Sequence, residues 1–150
     1  MQSTNPYLNF KGNTEEAFTY YRSVFGGEFP LIVRFRDFPG NMGVSGEDLD
    51  KVAHIALPLS NGHVLMGTDV VGRHAADFSM GNNYYIALEA DSAGEAAELF
   101  DGLSSEGRIE MPLQRTEWAE KYGVCVDKFG VQWMVGYTGN VTFKANDRTE

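Results

Sequence analysis

A chain of 150 residues that is 43% hydrophobic and 13% aromatic can bury a stable core without help from disulfides or metal. A formal charge of −9, with no cluster of Lys or Arg, argues against nucleic acid and anionic membranes as partners. No apolar run approaches the ~20 residues that cross a bilayer. The opening "MQSTNPYLNF" lacks a basic, apolar leader, so the cytoplasm is the expected compartment.

In chain order, "PYLNF" reads as a first strand and "GNTEEAFTYYRSVFGGE" as a helix. Asn13 is its expected N-cap, Glu16 completes a capping box and Gly26-Gly27 ends it. Ala17, Phe18, Tyr21, Val24 and Phe25 form one apolar stripe suited to lie on a sheet. Three strand candidates follow: "FPLIVRFRDF", "VAHIALPLS" and "HVLMGTDV". Between the first two, "PGNMGVSGEDLDK" (39–51) is rich in Gly, Pro and Asp and reads as a long mobile loop.

The same grammar then returns. "NYYIALEA" reads as a strand, and "DSAGEAAELFDGLSSEGR" as a helix with Ser92 and Glu95 as its capping box. "IEMPLQRTEW", "KYGVCVD" and "VQWMVGY" are three more strands. Setting Asn13 on Ser92 brings Glu16 onto Glu95, Ala17 onto Ala96, Tyr21 onto Phe100 and Val24 onto Leu103. Met66 falls on Met134, and twelve residues earlier His54 falls on Tyr122. The chain therefore reads as one domain, 1–150, made of βαβββ units 5–70 and 83–138 with a linker at 71–82. The tail from Asn140 is polar and is expected to fray or to add an edge strand.

Alternation assigns faces. Ile55, Leu57 and Leu59, like Val131, Trp133 and Val135, suit the helix-covered side, as do Leu8 and Phe10. His54, Ala56, Val64, Met66, Tyr85, Ala87, Glu89, Gln132 and Met134 then point to the other face, with Asn5, Tyr7 and Asn9 beside them. An extra residue at Lys11-Gly12 could shift the first strand by one.

The ordered set "PYLNFKGNTEEAFTYYRSVFGGE", "AHIALPLSNGHVLMGTD", "ALEADSAGEAAELFDGL" and "RTEWAEKYGVCVDKFGVQWMVGY" resembles the vicinal oxygen chelate superfamily, which includes glyoxalases, bleomycin- and fosfomycin-resistance proteins and extradiol dioxygenases. The PhnB-like branch is the nearer match. The resemblance implies an α+β fold in which two fused βαβββ units form cupped mixed β-sheets, with helices outside and a ligand pocket inside, in a homodimer. It also implies that metal-dependent members take His, Glu or Gln ligands from the first and last strand of each unit. Those positions fall here on Asn5 or its neighbours, Met66, Tyr85 and Met134. Two thioethers and a neutral phenol are poor donors for Zn²⁺ or Mn²⁺, so neither a metal site nor a cofactor is expected.

His54 is a lone histidine on a third strand, open to a role as packed ring, pocket residue or general base, with metal ligand the lesser alternative because no second donor stands at ligand spacing. Tyr7, Tyr85, Trp118 and Tyr122 are large amphipathic side chains that could line a concavity or fill a core. Asn9, Gln132, Met66, Met134 and Glu89 complete the pocket candidates. Asp127 in "DKFG" reads as turn chemistry, Cys125 as a strand-core thiol, and His63 and His74 as exposed. Three functions remain open: a metal-free binder of a small aromatic or cationic molecule, a metal-dependent glyoxalase-, dioxygenase- or transferase-type enzyme, and a dimeric structural or regulatory module without ligand.

Overall fold

The structure is a computed structural model that describes residues 1–146. It divides into two compact units, Met1–Met80 and Gly81–Glu150. The first contains β1 (Tyr7–Phe10), α1 (Thr14–Phe25), β2 (Ile32–Arg34), β3 (Val52–Pro58) and β4 (Val64–Asp69). The short helix α2 (Arg73–Ala76) follows. The second contains β5 (Ile86–Glu89), α3 (Ala93–Ser104), β6 (Arg108–Gln114), β7 (Lys121–Val126) and β8 (Gln132–Tyr137). Each unit has a four-stranded mixed sheet, in the orders β1-β4-β3-β2 and β5-β8-β7-β6. The outer pair β1/β4 or β5/β8 is parallel and the other pairs are antiparallel.

The register makes the repeat concrete. Met66 pairs with Ala56 and Tyr7, and Met134 with Val124 and Ala87. His54 and Tyr122 thus hold the same place on the third strand of their units. Asn9 and Glu89, paired with Thr68 and Gly136, hold the same place on the first. The extra residue at Lys11-Gly12 lies beyond β1, where Gly12 adopts φ +95°, a turn conformation that glycine takes without a side-chain clash. The β1 faces are therefore unshifted, with Leu8 and Phe10 buried and Tyr7 and Asn9 exposed.

In the first unit Ala17, Phe18 and Tyr21 of α1 are fully buried with Ile55, Leu57 and Leu65. In the second Ala96, Phe100 and Leu103 of α3 are buried with Cys125, Trp133 and Val135. Each large side chain among these contributes about 1.5–3 kcal/mol by leaving water. At Gly67 the Phe18 ring packs directly on the sheet, because a Cβ there would lie 2.6 Å from that ring. Ala53 forms a bulge, since Val33 pairs with His54 while Arg34 pairs with Val52. The bulge lets both Val52 and Ile55 face the core, and Thr68 Oγ1 donates to the carbonyls of Val52 and Ala53 beneath it.

Several local expectations give way to tertiary contacts. Asn13 makes no side-chain cap at α1. Asp69, at the far end of β4, supplies it: Oδ1 accepts from the N–H groups of Gly12 and Thr14 at 3.1 Å and from Thr14 Oγ1 at 2.6 Å. Its Oδ2 accepts from the Val52 N–H at 2.9 Å. A carboxylate that reaches the helix N-terminus from the sheet makes the local cap unnecessary. At α3 one half of the expected box forms, Ser92 Oγ accepting from the Glu95 N–H, while Glu95 accepts from the Asp91 N–H rather than from that of Ser92.

The segment expected as a long loop is folded into short 3-10 turns at Pro39–Gly43 and Gly46–Asp50, after one at Phe35–Asp37 that cuts the second strand to three residues. Charge pairs lie at the Phe35–Asp37 and Gly46–Asp50 turns: Arg34 on Glu15, Arg36 on Asp50 and Lys51 on Asp48. Tyr84 and Tyr85 precede β5 rather than belonging to it, and Trp118 lies beyond β6 in the β6–β7 connection. Residues 141–146 have no regular structure, and the rest of the tail lies outside the described residues. No helix among the described residues is long and apolar enough to cross a membrane.

Candidate functional site

The face of each sheet opposite its helix carries the polar and aromatic side chains that alternation assigned to it. In the first unit Tyr7 on β1 and His54 on β3 reach toward each other across β4. The Tyr7 hydroxyl and His54 Nδ1 share a hydrogen bond of 2.9 Å, with ring centroids 5.7 Å apart. Met66 and Thr68 line the strand between them. Partial burial pushes the Tyr7 phenol above its usual range, so it is neutral near pH 7. Asn9 is exposed beside this pair.

In the second unit the Tyr85 hydroxyl donates to Glu110 Oε1 at 3.1 Å. Two strands separate β5 from β6 in the sheet order, so this bond brings opposite edges of the sheet together over its open face. The hydrogen bond to Glu110 raises the Tyr85 phenol, with desolvation second. Trp118 packs edge-on to Tyr122, centroids 5.3 Å apart at 75°. Glu89 accepts from the Thr138 N–H at 2.8 Å and from Thr138 Oγ1 at 3.2 Å. Met134 is half-buried beside Ala87 and Val124.

Two buried polar side chains, the candidate Gln132 and the turn residue Asp127, bond the surrounding framework. Gln132 is buried and its amide donates to the Tyr84 carbonyl, which ties the segment before β5 to β8. Asp127 is more than a turn residue: Oδ1 accepts from the N–H groups of Phe129 and Val131, and Oδ2 accepts from the Trp133 indole at 2.8 Å. Cys125 is buried, and burial pushes its thiol up to about 11, with Asp127 and Glu110 adding to the shift. His63 and His74 are exposed. Alternation did not single out Glu110 or Thr68. Thr68 bore the one available signal, because it stands two residues beyond Met66 on the same strand.

The positions that the superfamily uses for metal are poorly equipped here. Asn5 Oδ1 accepts from the Val64 N–H and its amide donates to Ser3. The Tyr85 hydroxyl is engaged with Glu110, while Met66 and Met134 offer thioethers. Among the described residues no three His, Cys, Asp or Glu side chains gather into a possible metal site. This donor set does not fit a divalent ion of the kind those relatives hold.

Residues 5–135 match the Glyoxalase/Bleomycin resistance protein/Dioxygenase superfamily. Protein YjdN of Escherichia coli is 30% identical over 139 residues, covering 87% of this chain and 92% of that protein. The crystal structure of protein PA1353 from Pseudomonas aeruginosa is 33% identical and superposes with a TM-score of 0.77, over 91% of this chain and 98% of that one. A PhnB protein from Bacillus cereus is 28% identical with a TM-score of 0.71, over 91% and 99%. With two βαβββ units in one chain, a match that runs through both and a PhnB protein among its structural neighbours, the chain belongs to the Glyoxalase/Bleomycin resistance protein/Dioxygenase superfamily.

Proposed function

We propose that this protein binds a small aromatic or cationic molecule on the open face of its sheets, without a metal ion at the superfamily's ligand positions. The observation that carries this reading is the matched pair of ring clusters. His54 and Tyr122 occupy one repeat position, and each is met by a second ring from elsewhere in its unit, Tyr7 from β1 and Trp118 from the β6–β7 connection. Amphipathic rings with one polar tip present flat apolar surface and a hydrogen-bonding group together, as small-molecule sites require. Glu89 adds anionic character to the second face, in keeping with the −9 charge of the chain, whereas Glu110 is paired with Arg108. The same reading places the protein in the cytoplasm as a homodimer, in line with the dimers common in this superfamily.

Equilibrium titration of the full chain with a panel of neutral and cationic aromatic compounds tests the proposal. Saturable binding that weakens at least tenfold in Tyr122→Ala or Trp118→Ala is the expected result. Absence of saturable binding across the panel would favour a module without ligand. A stoichiometric transition metal in the purified protein, lost in His54→Ala, would overturn the metal-free reading.

A further inference from the structure

We infer that the open face of the first unit selects the carbonyl oxygen of a small neutral aromatic compound, which accepts a hydrogen bond from Nε2 of His54 in the tautomer that Tyr7 imposes. This rests on the reading of the open faces as ligand-binding and names the chemistry that one of them takes. Nε2 is the open polar atom here. His54 is half-buried, and among the described residues its one hydrogen bond is that shared by Nδ1 and the Tyr7 hydroxyl at 2.9 Å. Every buried side-chain nitrogen or oxygen among the described residues has a partner, so Nε2, which has none, reaches solvent. Neighbouring polar groups do not compete for it. Thr68 pairs with Asn9, and the register that sets Ile55 against Gly67 brings His54 to the same level of the sheet, but the Thr68 hydroxyl donates to the Val52 and Ala53 carbonyls.

The Tyr7 hydroxyl decides what Nε2 offers. Neutral imidazole has one donor and one acceptor nitrogen, and the bond made by one sets the role of the other. Desolvation pushes the Tyr7 phenol above its usual range, which keeps its proton in place, and among the described residues Nδ1 is the one acceptor within its reach. An imine nitrogen accepts more strongly than a phenol oxygen. The Tyr7 proton therefore points at Nδ1, and the ring proton sits on Nε2 as a donor.

Comparison of the repeats sets this face apart from the other. Asn9, whose amide can donate, holds the place of Glu89, which when ionised only accepts. An acceptor on a ligand thus meets donors on the first open face and a carboxylate on the second. Apolar contact comes from the Tyr7 ring, 46% exposed, and from Met66, half-buried between Tyr7 and Ala56. An aromatic ring with a carbonyl at its edge matches this pairing of ring face and N–H donor. The −9 charge of the chain disfavours an anion, which leaves the neutral acceptor.

The experiment is a ¹H–¹⁵N NMR titration of the full chain at pH 8, reading the His54 ring nitrogens, with acetophenone and, separately, with benzylammonium chloride. The first compound carries an acceptor and no donor; the second carries donors and a positive charge on the same ring. Before any addition the ring should show Nε2 protonated and Nδ1 accepting, and acetophenone alone should then shift the Nε2 resonance saturably. Tyr7→Phe should mix the two tautomers and weaken acetophenone at least threefold. His54→Gln, whose amide keeps a donor, should bind acetophenone more tightly than His54→Leu. Tyr7→Phe removes one oxygen and its backbone amide spectrum reports folding directly, so the test does not depend on the histidine variants. A ring protonated at Nδ1, an equal response to both compounds, an Nε2 resonance indifferent to acetophenone, or unchanged affinity in Tyr7→Phe would overturn the inference. If benzylammonium binds saturably while acetophenone does not, the broader binding proposal stands and this one falls; if no aromatic compound binds, both fall.

Discussion

The Tyr7 hydroxyl and the Nδ1 of His54 meet at 2.9 Å across the intervening strand β4, so one ring fixes the orientation of the other on the open face of the first unit. Whichever partner carries the shared proton, the opposite ring nitrogen, Nε2, is left to interact with a ligand as donor or acceptor. Because both residues are partly exposed, the bond contributes to positioning more than to stability.

Tyr7→Phe should therefore cost less than about 1 kcal/mol in unfolding free energy while releasing the imidazole. Urea denaturation gives the first quantity. The ¹⁵N chemical shifts of the His54 ring give the second, since the two tautomers should redistribute once the phenol is gone. A His54 ring spectrum identical to that of the unaltered protein would contradict the hydrogen bond.

Asp69 is buried and accepts from four donors belonging to the α1 N-terminus and the start of β3. Asp69→Ala should destabilise the protein by about 3 kcal/mol or more, because each buried N–H left unpaired costs about 1–3 kcal/mol. Asp69→Asn keeps one acceptor oxygen and should lose less. By contrast Asn13→Ala should change the urea midpoint only slightly, since Asn13 makes no side-chain cap. The reverse order of these effects would refute the assignment of the cap to Asp69.

Gly67→Ala should destabilise by about 1–3 kcal/mol, the usual cost of forcing a methyl into a packed core, because the new Cβ would meet the Phe18 ring at 2.6 Å. Pairing it with Phe18→Leu, which withdraws the ring, should recover part of the loss. Thermal unfolding of the two single variants and the double variant measures that coupling. Strict additivity of the two losses would show that the contact is not the cause.

The Cys125 thiol, pushed up to about 11 by burial from an ordinary value of 9.0, is stabilised in its protonated form by folding. Its contribution is complete below about pH 9 and is lost as pH rises towards 11, because the unfolded chain gives up this proton first. Urea midpoints should fall more steeply across that interval in the unaltered protein than in Cys125→Ala. In the native state at pH 8 the thiol should resist alkylation, becoming reactive on unfolding. Parallel pH slopes for the two proteins would argue against the shift.

Much of the fold was legible in the linear chain, and particular residues show why. Phe18 and Tyr21 on α1, like Phe100 and Leu103 on α3, are buried because helical spacing placed them on one stripe. His54 and Met66 lie opposite Ile55 and Leu65 because strand side chains alternate. The bulge at Ala53 escaped notice, since it is defined by β2 and β3 pairing together. So did the 3-10 turns after β2, beside which Arg34 and Arg36 meet Glu15 and Asp50. Among the site candidates, sequence alternation grouped Tyr7 with His54 and Tyr85 with Glu89 on shared faces. It could not say that Tyr7 bonds His54, that Tyr85 bonds Glu110, or that Gln132 is spent on the Tyr84 backbone.

The sequence by itself determined the two βαβββ units, the faces of their helices and strands, and the unsuitability of Met66 and Met134 as ligands for a hard divalent ion. These follow from backbone periodicity and donor chemistry, which act within a few residues. Only the tertiary structure decided that Asp69 caps α1 and that Tyr85 bonds Glu110. Those partners stand 55 and 25 residues apart in the chain, and the register of the folded strands is what brings each pair within reach.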